Sequence, residues 1–192
     1  MSHGHGAGHD IGDNKWVAIC ISVLALCLAL AETLAKGAQT TTIASTVEAS
    51  NLWAFYQAKT IRQTTLKTAA EQVEVDAKLA SDPAARQLFE TRVKDWRAEA
   101  ARYESEPKPN GLGEGRKELR ERAIAEGLKR DLYAEKYHHF EFSSATFQIA
   151  IVLASVYLIT HMTLMMAGAG LAAAVGVVFF GLGQFFPHVH VF

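Results

Sequence analysis

The chain has 192 residues, enough for one soluble domain or slightly more. Its 19 basic and 20 acidic residues leave a net charge of −1, which gives no electrostatic reason to bind nucleic acid and excludes that class of partner. The averages of 49% hydrophobic and 20% charged residues conceal two materials, because every Lys and Arg except Lys15 falls between Lys36 and Lys136.

Residues 1–15 form a His-rich tail. His3, His5 and His9 with Asp10 are candidate ligands for a transition metal, since imidazoles on a flexible segment wrap a cation weakly and unselectively. The bland alternative is a solvated tail. Residues 16–36 then read WVAICISVLALCLALAETLAK, close to the 20 apolar residues that cross a bilayer core, with Lys15 and Trp16 where interfacial anchors belong. Ala29-Leu30-Ala31 also has the small-x-small form of a signal cleavage site, but Asp10 and Asp13 against Lys15 make a poor positive n-region. Cys20 and Cys27 are seven apart, about 10 Å along a helix, too far for a disulfide between them.

Residues 37–142 are rich in Ala, Gln, Glu, Lys and Arg and predict soluble helices over about 38–80, 83–105 and 116–141. The first of these is open to continuing the membrane helix, with a weak point at Gly37. Ser81-Asp82-Pro83 is a stop and restart, with Ser81 or Asp82 as N-cap and Pro83 in the first turn. Phe89, Val93, Trp96, Ala100 and Tyr103 recur at spacings of four and three, a coiled-coil-like seam. The stretch PKPNGLGEG within the loop 106–115 breaks the helix and reads as a connector, because it lacks the strand and the Gly-Lys-Ser/Thr of a phosphate loop. Leu119, Ile124, Leu128, Leu132 and Glu135 are expected along one side of the third helix.

A second span is predicted over 143–166, a small-residue turn at Ala167-Gly168-Ala169-Gly170, and a slightly short third span over 171–187, followed by a tail over 188–192. Lys129, Arg130 and Lys136 precede the second span while the turn after it has no basic residue, which places the charged middle region in the cytoplasm. The fold class is therefore all-α: three transmembrane helices, one N-terminal and two forming a C-terminal hairpin, around an extended, coiled-coil-like soluble helical hairpin.

The stretch KWVAICISVLALCLALAETLAKGAQTTTIASTVEASNLWAFYQAKTIRQTTLKTAAE, from Lys15 to Glu71, resembles the bacterial domain-of-unknown-function family 4337. NLWAFYQAKTIR, from Asn51 to Arg62, carries most of the resemblance. The His-rich start, the Ala-Glu-Thr end of the first span and the two closing apolar helices are similar as well. The resemblance implies a bacterial membrane setting and brings no activity; the inner membrane is the expected location.

Within that signature, Trp53, Phe55, Tyr56, Lys59 and Arg62 form a candidate contact for an oligomer or an unknown protein partner, against the plainer reading of an aromatic knot where helices pack. Glu32 and His161 are ionisable groups inside apolar spans, where charge is costly. Lys36, four residues on, is one partner for Glu32, and Gln184 another. Ala18, Ser22, Ala25 and Ala29 with Glu32 form a small-residue stripe suited to close helix approach. His138 and His139 before the second span and His188 and His190 after the third are expected at one membrane face, as metal ligands, a pH sensor or interfacial solubilising groups.

No nucleophile elbow, zincin helix or Cys-x-x-Cys appears, so no enzyme activity and no cofactor are expected beyond weak transition-metal binding by the His-rich tails. Narrow apolar stripes lead to the expectation of a homo-oligomeric membrane scaffold or assembly subunit, embedded among lipids. A small channel or ion-handling protein using Glu32, Gln184 and His161 is the alternative.

Overall fold

The computed structural model describes residues 7–109 and 113–189, with side chains from Lys15 onward. Four helices follow in order: α1 (Ala7–Leu79), α2 (Pro83–Glu104), α3 (Arg116–Thr160) and α4 (Thr163–Phe185), with no strand among the described residues. Contacts divide the chain into two units, one comprising Met1–Ile43 with Arg130–Phe192 and the other Ala44–Lys129.

Both junctions between the charged helices and the apolar segments are continuous. Helix α1 runs through Gly37, because one glycine costs only about 1 kcal/mol in a helix and its neighbours are good helix formers. The hydroxyls of Thr40, Thr41 and Thr42 donate back to the carbonyls of Lys36, Gly37 and Ala38, so these side chains continue the helix rather than interrupt it. Helix α3 likewise continues past residue 142 without a joint.

The turn expected at Ala167–Gly170 lies instead at His161–Met162. His161 adopts a left-handed φ of 54°, and the Met162 amide donates to Thr160 Oγ1 at 3.4 Å. The small residues of 167–170 are spent on packing. Ala169 is buried, and a side chain at Gly168 would stand 3.3 Å from Leu153. The third apolar helix is consequently 23 residues long, about 35 Å, and not short.

In the first unit, α3 and α4 pack on a seam of small residues. The buried positions of α4 are Ala169, Gly176 and Gly183, seven apart. They face Ala154, Phe147, Ser143 and Phe140 of α3: Ser143 Oγ donates to Gly176 O at 2.9 Å, and Phe147 is 1% exposed. A Cβ on Gly176 would lie 2.8 Å from the Phe147 ring, so only glycine admits this approach. Val17 joins Ala154 and Ala169 in the core, with Ile21, Leu153 and Tyr157 around them. The buried side of α1 here is Val17, Ala31, Ala35 and Ala38, whereas Ala18, Ser22, Ala25 and Ala29 of the expected stripe are exposed.

Three helices are long and apolar enough to cross a membrane: Lys15–Leu79, Arg116–Thr160 and Thr163–Phe185, with mean hydropathies of 2.4, 1.8 and 2.1 in their most apolar windows. Only 11%, 22% and 11% of those windows is buried, so the apolar surface points outward, as suits lipid and not water.

In the second unit, α2 and the start of α3 pack in turn along α1. Asp82 caps α2, accepting from the amides of Ala84 at 3.1 Å and Ala85 at 3.3 Å. Val93 and Ala100 of the predicted α2 seam are buried. Leu52 of α1 packs with Leu119 and Ala123 of α3. The stripe expected through Ile124 and Leu128 is instead exposed, since a step of five from Leu119 leaves the face that Ala123, a step of four, keeps.

Candidate functional site

The densest polar cluster of the described residues lies in the second unit, where the 105–115 connector interrupts the helices packed on α1. Three successive turns of α1 present Tyr56, Lys59, Thr60 and Gln63 to it. These lie on the buried side that also carries Ala49 and Leu52. The end of α2 contributes Ala100, Tyr103 and Glu104, and the first turn of α3 contributes Arg116 and Glu118.

Arg116 is the centre. Its guanidinium donates to Glu104 Oε2 at 2.9 Å, to Thr60 Oγ1 at 2.9 Å, to Tyr56 OH at 3.1 Å and to Gln63 Oε1, and it stands 5.1 Å from the centre of the Tyr56 ring. Gln63 is 3% exposed, and its amide nitrogen donates to Ala100 O and to Glu104 Oε2, both at 2.9 Å. That hydrogen bond from Gln63, opposed by desolvation and aided by the charge of Arg116, holds the Glu104 carboxyl below the usual carboxylate range.

Lys59, 6% exposed, places its ammonium 3.7 Å from Glu106, 4.9 Å from the Tyr103 ring centre and 5.6 Å from that of Phe55. Glu118 accepts from the Ser105 hydroxyl and from the Glu106 amide, pinning the connector to α3. Gly113 and Gly115 pass so close to residues 105 and 106 that a Cβ on either would meet backbone atoms at 2.8 Å or less. The donors and acceptors named here are matched to one another, the Ser105 hydroxyl on the Glu118 carboxylate included. Chemically the arrangement is a clasp.

Of the predicted contact residues, Trp53 and Tyr56 meet edge to face at 5.5 Å, but Tyr56 and Lys59 are turned to their own chain. Trp53 and Phe55 are partly exposed, and Arg62 lies on the surface apart from the clasp. Gln63, Glu104, Arg116 and Glu118 were not legible as site residues. The available signal was two polar residues, Lys59 and Gln63, at helical spacing from Leu52 and Tyr56 on a side otherwise made of small and apolar groups.

In the first unit, Glu32 Oε1 accepts from Gln148 Nε2 of α3 at 3.3 Å. Gln184, one of the two expected partners beside Lys36, is exposed on α4. His161 sits in the α3–α4 turn beside Tyr157, not within a span, so Glu32, Gln184 and His161 do not converge. His139 and His188 do come to one end: His139 Nε2 is 3.2 Å from Pro187 O, and His188 Nδ1 is 3.1 Å from Glu135 Oε2. His138 is directed to Glu141 at 3.7 Å. Among the described residues no group of three or more His, Cys, Asp or Glu is placed to hold a metal ion. His3, His5 and His190, and the side chains of His9 and Asp10, lie outside the described residues.

Over residues 13–186 the chain matches the family described as Domain of unknown function (DUF4337). The chain belongs to this family. No curated protein and no solved structure matches it. The DUF4337 match takes in the clasp, the glycine-lined α3–α4 seam and all three membrane-length apolar segments. A domain of unknown function brings no activity, so the geometry carries the functional argument.

Proposed function

We propose that this chain is a non-enzymatic integral membrane protein that assembles into a homo-oligomeric scaffold in the bacterial inner membrane, with residues 44–129 as its cytoplasmic, coiled-coil-like part. The observation that carries the reading is apolar surface left in water by the second unit. Ile61 and Leu128 are each 67% exposed, and Val47, Val75, Leu88 and Ile124 are also exposed. Isolated exposed apolar residues are ordinary, but several on one short helical unit fit a surface awaiting a partner. The matched polar groups of the clasp support a rigid structural element over a reactive centre. Mass photometry of the full chain in lipid nanodiscs tests the reading: a discrete oligomer is expected, and a monomer at all concentrations overturns it.

The contact between Glu32 and Gln148 favours a second reading, ion handling through polar groups held in an apolar segment. Proton or cation flux into liposomes, lost on Glu32→Ala or Gln148→Ala, would support it. No flux above protein-free liposomes would remove it.

A further inference from the structure

Helix α1 of the second unit turns Ser45, Ala49, Leu52, Lys59, Gln63, Ala70 and Ala77 toward α2 and α3. Its opposite face carries Val47, Ala54, Ile61, Thr68 and Val75, seven residues apart and all exposed. A helix that shows water its back is ordinarily charged there. Helix α2 follows that rule, with nine of its 22 residues charged. The back of α1 does not. Between Val47 and Thr68 the charged side chains are Glu48, Lys59, Arg62 and Lys67, none at an outward position, and the first charge on this back is the exposed Glu71, between Thr68 and Val75. Glu48 is turned aside toward Arg122 at 3.8 Å, and Lys59 is buried against Glu106.

The polar residues on this back are less polar than their names. The hydroxyls of Thr64 and Thr65 donate to the carbonyls of Thr60 and Ile61, each at 3.0 Å, which leaves their methyl groups outermost. Beside Ile61 they line a shallow depression along the helix.

We propose that this back of α1 is where copies of the chain meet, α1 against α1, parallel and in register. The inference rests on the homo-oligomer reading and names its interface. Copies that enter one bilayer in the same orientation are related by rotation about its normal, so near the axis each residue faces its own counterpart. Like charges facing each other across such a contact cost several kcal/mol, and from Val47 to Thr68 this face is free of that cost. The seven-residue recurrence of Val47, Ala54, Ile61 and Thr68 is the repeat by which two helices stay in contact over several turns.

The test uses the full chain carrying Cys20→Ser and Cys27→Ser, in nanodiscs, with a single cysteine introduced by Ile61→Cys or, as control, Arg120→Cys. Because a disulfide needs Cα atoms within about 7 Å, oxidation should yield about tenfold more covalent dimer for Ile61→Cys than for Arg120→Cys. Ile61→Lys should weaken assembly about tenfold or more by mass photometry with unchanged helicity, since the side chain is exposed in the single chain, and Ile61→Leu should assemble normally. Oligomers that persist with Ile61→Lys, while Ile61→Cys does not cross-link, overturn this interface and leave the oligomer reading standing. A wild-type monomer overturns both.

Discussion

Replacing Arg116 by alanine should loosen the connector and the ends of the two helices it joins without unfolding the chain. Arg116 touches four side chains, Tyr56, Thr60, Gln63 and Glu104, but their losses are unequal. The Glu104 side chain is 56% exposed, so water takes over much of that ion pair and its loss costs little. Gln63 is buried, and its carbonyl loses its charged donor, a loss of about 1–3 kcal/mol. The net penalty is about 2 kcal/mol, which raises the local opening equilibrium about thirtyfold. Hydrogen–deuterium exchange of the full chain in nanodiscs reads this directly in peptides spanning 100–124. Arg116→Lys should recover part of the protection, because an ammonium keeps the charge but lacks the fork that reaches several acceptors at once. Arg120→Ala, one turn on and exposed, is the control. Unchanged protection in Arg116→Ala, or an equal loss in Arg120→Ala, would refute the clasp.

Gly176→Ala should lower the thermal midpoint in detergent through about 1–3 kcal/mol of overpacking against Phe147 and Thr146, whereas Gly181→Ala, with open space around it, should leave it unchanged. Asp82→Ala should cost about 1 kcal/mol and speed amide exchange in the first turn of α2, a result visible in peptides beginning near residue 83. The clasp should also be acid-sensitive. The Glu104 carboxyl is held below its ordinary value, so its stabilising contribution is complete at neutral pH and disappears as the pH falls from about 4.5 through the lowered folded-state value. Exchange in the connector should therefore rise on acidification relative to a remote helix, and Glu104→Gln should flatten that rise.

Sequence alone determined the all-α class, the three apolar segments and the helix boundaries flanking Asp82 and the Pro- and Gly-rich connector, because hydropathy, capping and chain breaking act within a few residues. It also placed Phe89, Val93, Trp96, Ala100 and Tyr103 on one side of α2, since a step of three or four is a local property of a helix. Tertiary structure decided which side of each helix has a partner. Ala18, Ser22, Ala25 and Ala29 looked like a packing stripe and are exposed, whereas Ala169, Gly176 and Gly183 looked partly like a turn and became the seam against α3. Small residues permit a turn or a close approach equally well, and only the neighbouring helix chooses between them. The same holds for the clasp: Arg116 and Gln63 lie 53 residues apart, and nothing local to either announces the other.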